Sequence, residues 1–233
     1  MRPVLAVNMS AAASPAEGAL DAPPIAVVLD DLASGAAPLA WGSALARGLR
    51  RELHAVYVED TSALAAAALP ITQTLAHGTA VWTPYGVADM LRAQRAQLAR
   101  LADTLQRAAA QHHIRSSLQV VRDTLHHAAL AIDDRSDLVL VSGTTLSLQG
   151  ERTLACRTVL VWAEDGERGL RMNALAARCA ESLGAARYTL HGATDLTAAL
   201  RTIGDLLVMP RWRASPALLA QARGPVLLVG SKD

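Results

Sequence analysis

The residues able to do chemistry in this chain are few and scattered. Asp30 and Asp31 close an apolar run, where they act as solvated loop acids or as the cap of a following helix. The run Ser142-Gly143-Thr144-Thr145 surrounds a glycine with three hydroxyls. That composition holds an anion through backbone N–H groups, or simply turns the chain. Histidines come in two adjacent pairs, His112-His113 and His126-His127. Imidazole is a common metal ligand. Neighbours on a helix, however, point about 100° apart, so each pair offers one ligand at most. No Cys pair and no HExxH spacing adds others, and no metal is expected. Cys156 and Cys179 lack CxxC spacing and cannot make a disulfide framework; they read as reduced thiols of a cytoplasmic protein. There is no GxSxG and no evident nucleophile–base pair, which leans away from an enzyme. Lys232 is the sole lysine, so P-loop and Schiff-base lysine chemistry inside the fold are excluded. Arg211-Trp212-Arg213 is a small basic-aromatic cluster. It reads as a grip for a phosphate or a partner's acidic edge, or as a loop with Trp212 packed on the end of a sheet.

The elements that must position these residues have ample core material. The chain has 233 residues, 52% hydrophobic and 18% charged, enough for one large or two small domains. Twenty-two basic against 21 acidic residues leave a net charge of +1, which argues against a general nucleic-acid or anionic-membrane surface. Phe is absent and aromatics total 3%, too few for base-stacking platforms. The N-terminus lacks the charge and apolar length of a secretory signal. No stretch reaches the roughly 18 uncharged apolar residues of a transmembrane helix.

Residues 1–24, rich in Ala, Ser and Pro, read as a flexible leader. Ile25–Leu29 is a continuous apolar run suited to a strand buried on both faces. Gly35–Pro38 reads as a loop, Leu39–Leu53 as an amphipathic helix, and His54–Val58 as a strand. Residues 61–86 form a connection longer than usual, expected to be a lid, a contact surface or local helix. Val87, Leu91, Leu98, Leu101, Leu105 and Ala108 then form one helical stripe. A strand at Ser117–Val121, a helix from Asp123 or Thr124 to about Asp134, and a strand at Asp137–Val141 follow. The second half repeats this order in shortened form. Strands are expected at Thr158–Trp162, Arg187–Leu190, Gly204–Met209 and Gly224–Val229. Helices are expected at Leu170–Leu183, from Thr194 or Asp195 to Ile203, and after Ser215-Pro216. One β-α unit reads as missing between Gly184 and Arg187. Alternating strands and helices imply a doubly wound parallel sheet, α/β in class, in two tandem halves spanning 25–156 and 157–233. Ligands in such sheets bind beyond the carboxyl ends of the strands. That places Asp30, Asp31, Val58, Glu59, Arg122, Asp123, Ser142, Gly143, Thr144 and Thr145 as candidates.

The layout resembles the universal stress protein family in a tandem arrangement. The likeness rests on Val27-Val28-Leu29-Asp30-Asp31, on His54-Ala55-Val56-Tyr57-Val58 with its long insertion and long helix, on Asp137–Val141, and on the closing Gly224-Pro225-Val226-Leu227-Leu228-Val229. It implies a Rossmann-like fold and a non-catalytic regulatory or partner-binding role in stress response, as a homodimer or an internal pseudo-dimer with an unidentified protein partner. The alternative it implies is an adenine-nucleotide protein with slow ATP hydrolysis, in which Asp30 or Asp31 contacts the ribose or adenine. No other cofactor is expected. The family's nucleotide binders place glycines at set intervals after the fourth strand, so that backbone N–H groups meet the phosphates. Here Gly143 fits the first position, but Leu146 and Cys156 stand at the second and third.

A Cβ at Leu146 obstructs the close approach that a glycine permits. ATP is therefore expected to bind with Kd above about 100 μM, roughly 5.5 kcal/mol or less of binding free energy. Calorimetric titration with Mg-ATP checks this; a low-micromolar Kd would mean that the loop builds a phosphate site without those glycines.

Overall fold

The computed structural model describes residues 22–59, 65, 68–69, 73–75, 82–84, 86–132, 136–142, 155–202 and 205–230. In chain order the elements are β1 (Ile25–Leu29), α1 (Leu32–Leu49), β2 (Leu53–Glu59), β3 (Gln73–Leu75), β4 (Trp82–Pro84), α2 (Val87–His112), β5 (Ser116–Arg122), α3 (Leu125–Ala131) and β6 (Leu138–Val141). They continue with β7 (Thr158–Val161), α4 (Glu167–Leu183), β8 (Ala186–Thr189), α5 (Ala193–Leu200), β9 (Asp205–Pro210), a 3-10 turn at Arg211–Arg213, α6 (Pro216–Leu219) and β10 (Val226–Val229). Among the described residues no helix is long and apolar enough to cross a membrane.

Eight strands form one sheet in the order β5-β2-β1-β6-β10-β9-β7-β8. The fold is Rossmann-like and doubly wound. β1, β2, β5 and β6 are mutually parallel neighbours, as the alternating pattern predicts. β7, β8, β9 and β10 form a second parallel block. The blocks meet at β6 and β10, which pair antiparallel with Val226 opposite Val141 and Val229 opposite Leu138. Nothing in the periodicity announces this seam, because an apolar run carries no direction.

The strands are apolar throughout because both faces are covered. Residues of one parity, such as Val27, Leu29, Ala55 and Leu140, pack with Leu39, Trp41 and Leu45 of α1, Leu101 and Leu105 of α2, and Met172, Ala176 and Cys179 of α4. The other parity, including Val28, Val58, Val141 and Leu228, packs with Leu125 and Ala129 of α3, Leu196 of α5 and Leu219 of α6. Each buried Val or Leu contributes about 1.5–3 kcal/mol. α1 lies between α2 and α4 on the first face, and α3 touches α6 on the second.

Several expectations change. α1 begins at Leu32, so Gly35–Pro38 lies within a helix that includes Pro38; burial of Leu39, Trp41 and Leu45 outweighs the poor helix propensity of that stretch. The long connection after β2 contains an antiparallel hairpin, β3 with β4, in its own two-stranded sheet. α3 ends at Ala131 rather than Asp134, and α5 at Leu200 rather than Ile203. β8 follows α4 almost directly and pairs with β7, the second-strand position, so the missing β-α unit falls after β8 rather than before it. Residues 1–21 of the expected leader lie outside the described residues, as do Asp134 and Ile203.

A buried ion pair lies within the first block at one end of the seam. Arg51, between α1 and β2, meets Asp137, just before β6, with 11% and 7% of their side chains exposed. The backbone of Asp137 accepts the Gly230 N–H at 2.7 Å. A Cβ on Gly230 would lie 3.2 Å from that same carbonyl, so the close approach favours glycine. From the second block, the Arg211 guanidinium donates to the carbonyls of Ala129 and Leu130, both at 3.3 Å, and of Ile132, capping α3 of the first.

Asp137→Ala leaves the Arg51 charge buried without its main partner. Stability is expected to fall by about 3–5 kcal/mol in urea unfolding. A loss below about 1 kcal/mol, the range of exposed pairs, would show that the pair does not anchor the start of β6.

Candidate functional site

β1 and β6 are adjacent, while the chain leaves β1 toward β2 on the other side. Sheets whose order reverses in this way have their crevice at the carboxyl edge of the strands, the usual ligand position. Asp30 and Asp31 leave β1 there, Glu59 ends β2, Arg122 and Asp123 end β5, and Ser142 follows β6. Parity divides them. The next residue after Leu29 turns toward the α3 side, where His126 exerts an attractive field on Asp30. Asp31 is on the α2 side: Gln97 donates to its carboxylate at 3.1 Å, and Tyr57 donates to the Gln97 carbonyl at 3.3 Å.

The electrostatics follow from crowding. Desolvation by the surrounding protein raises the Asp30 carboxyl above its ordinary range although the residue reaches solvent; Asp31 adds repulsion, while the Asp30 backbone amide and His126 oppose it. Burial, then the charges of Asp31, Glu59 and Asp30, push the Tyr57 phenol up. Burial pulls His126 down against the attraction of Asp30. Two buried polar atoms at this edge, Ser142 Oγ and His126 Nε2, have no hydrogen-bond partner among the described residues. Ser142 itself is 3% exposed.

The other candidates have local roles. Asp123 accepts the Thr124 N–H at 2.7 Å and lies 3.4 Å from His127 Nδ1, so it orders the entry to α3. Arg122 is bound to Glu59 at 3.1 Å. The Val58 side chain is in the core beneath α3, which leaves only its backbone to a ligand. Gly143, Thr144 and Thr145 lie outside the described residues. The adjacent histidines diverge: His126 faces Asp30, and His127 faces Asp123. Both thiols are buried, Cys156 pushed up to about 11 and Cys179 to about 12, so they stay protonated at neutral pH.

No family model and no curated protein matches this chain. The site is therefore read from its own residues. Gln97 belongs to no motif, and Tyr57 is visible in the sequence only as part of the His54–Val58 strand. Their signal is positional. Tyr57 is a polar tip in the β2 parity that packs beneath α1 and α2, beside Ala55, and buried Gln94 breaks the apolar stripe of α2 one turn before Gln97.

His126 and His112 both have lowered proton affinity, His126 mainly from burial and His112 from burial with Arg47 nearby. The unfolded chain binds protons that the folded one refuses, so stability falls as pH drops below about 6.5. Asp30 acts oppositely and at lower pH, because its raised affinity favours the folded state as acid is added. The urea midpoint is expected to decrease between about pH 7.5 and about pH 5.5, and the double variant H112Q/H126Q to flatten that slope. An unchanged slope would assign the acid sensitivity elsewhere.

Proposed function

We propose that this is a non-catalytic module of the universal-stress type, acting by binding a partner in a stress response. The observation that carries this reading is the charge at the first block's carboxyl edge. Asp30, Asp31, Glu59 and Asp123 gather there. Among the described residues the cation that comes near, Arg122, is engaged with Glu59. Such an edge repels a triphosphate and suits hydrogen-bond donors or a basic segment. The acids also lack an adjacent nucleophile–base pair among the described residues, which supports binding over turnover.

The resemblance to universal stress proteins is supported by the order β5-β2-β1-β6 and by the insertion before the long helix α2. The second block supplies within the same chain what a second subunit supplies in a homodimer, which favours the internal pseudo-dimer. The copies are unequal at the seam: the first contributes β6, its fourth strand, and the second contributes β10, for which the first has no counterpart. Two buried, unpaired thiols fit a reducing cytoplasm.

Mass spectrometry of small molecules released from the denatured, purified protein tests the reading. No adenine nucleotide is expected at a stoichiometric level. Stoichiometric ATP or ADP that survives Arg168→Gln and Arg178→Gln on α4 would replace this reading with the nucleotide-binding alternative, seated on Asp30 and Ser142.

A further inference from the structure

A groove of about 280 Å³ runs along α4 toward the seam, lined by Arg168, Arg171, Leu175, Arg178, Arg51 and Trp212. It lies across the end of β10. Because β10 runs antiparallel to β6, this is the opposite sheet edge from the β1–β6 crevice.

The four arginines are not equivalent. Arg51 is committed to Asp137. Arg171 shares its charge with Glu167 at 2.6 Å. Arg168 lies 5.7 Å over the Trp212 ring, a weak tether for an exposed cation. The Arg178 guanidinium holds no hydrogen bond or ion pair among the described residues. Positions 168, 171, 175 and 178 recur at three and four, so these side chains share one face of α4.

The arrangement works against the helix. Arg168 sits in the first turn of α4, where the dipole disfavours a cation, and Arg168 and Arg171 are like charges three apart. Neither placement aids folding, and both concentrate positive charge on one groove. The apolar wall of Leu175 and Met172 completes the lining. Guanidinium groups bind phosphate through paired N–H donors, and the volume suits a compact ligand. We propose that this groove binds the phosphate group of a small phosphate-bearing molecule. The assignment is independent of the reading given to the first block.

The test titrates the full chain calorimetrically with inorganic pyrophosphate and, separately, phenyl phosphate. Arg168→Gln and Arg178→Gln are each expected to weaken binding about tenfold, the worth of one charged hydrogen bond, with unchanged thermal unfolding. Arg95→Gln, an exposed arginine on α2, is expected to leave binding intact. Tighter phenyl phosphate identifies an organic phosphate held partly by the apolar wall; tighter pyrophosphate identifies the inorganic anion. Failure of both probes to bind, or equal weakening by Arg95→Gln, overturns the proposal.

Discussion

The antiparallel pairing of β6 with β10 is the constraint on which the rest of the molecule depends. Each block alone is a four-stranded parallel sheet with two open edges. Joining the blocks there removes two edges and makes eight strands one layer. It also fixes polarity. Parallel strands direct their carboxyl ends one way, so two blocks joined antiparallel direct theirs to opposite ends. The crevice beside Asp30 and the groove beside Arg178 are therefore kept apart by the sheet itself.

The seam must be held in register, since a slip of one residue exchanges the two faces of a strand. Here Leu227 and Leu140 belong to the α1–α4 face, while Leu228 and Val139 belong to the α3–α6 face. Exchanging them would oppose residues already fitted to different helices. The Arg51–Asp137 pair and the Gly230 contact act at one end of this pairing, and Arg211 reaches from the second block to α3. The ties are polar and local, while the cohesion is apolar and spread over both faces. The outer edge differs: β8 is exposed at all four residues, with Tyr188 at 62%. It owes its place mainly to pairing with β7 and to Asn173, whose carbonyl accepts from Arg187 at 2.9 Å.

Most of the fold is legible in the sequence because buried parallel strands leave a strong mark. Ile25–Leu29 and Leu138–Val141 are continuous apolar runs, and α2 shows its stripe from Leu91 to Leu105, while Val87 at its start is exposed. What stays hidden is long-range or context-bound. The direction of β10 is set by its partner and not by Val226–Val229. The helical start of α1 is set by packing against the sheet, in opposition to Gly35 and Pro38. The hairpin of β3 and β4 is only three residues per strand, below the length at which alternation is readable. At the candidate site, the acids and Ser142 are visible as strand ends. Gln97 and His126 are not, because what brings them to Asp31 and Asp30 is the stacking of α2 and α3 on opposite faces.

Charge is distributed with the same logic. A net charge of +1 conceals two unlike ends. Acids collect where the first block's strands finish, and arginines along the helix covering the second block's. Folding alone does not require this separation. Interspersed charges would lower self-repulsion at each end, and a first-turn acid in place of Arg168 would favour α4. Glu167 already occupies that first turn, yet it is bound to Arg171, so its charge offsets the groove's only in part. Local rules are broken in a consistent direction along one face, which is the pattern expected of a surface shaped by a ligand rather than by packing.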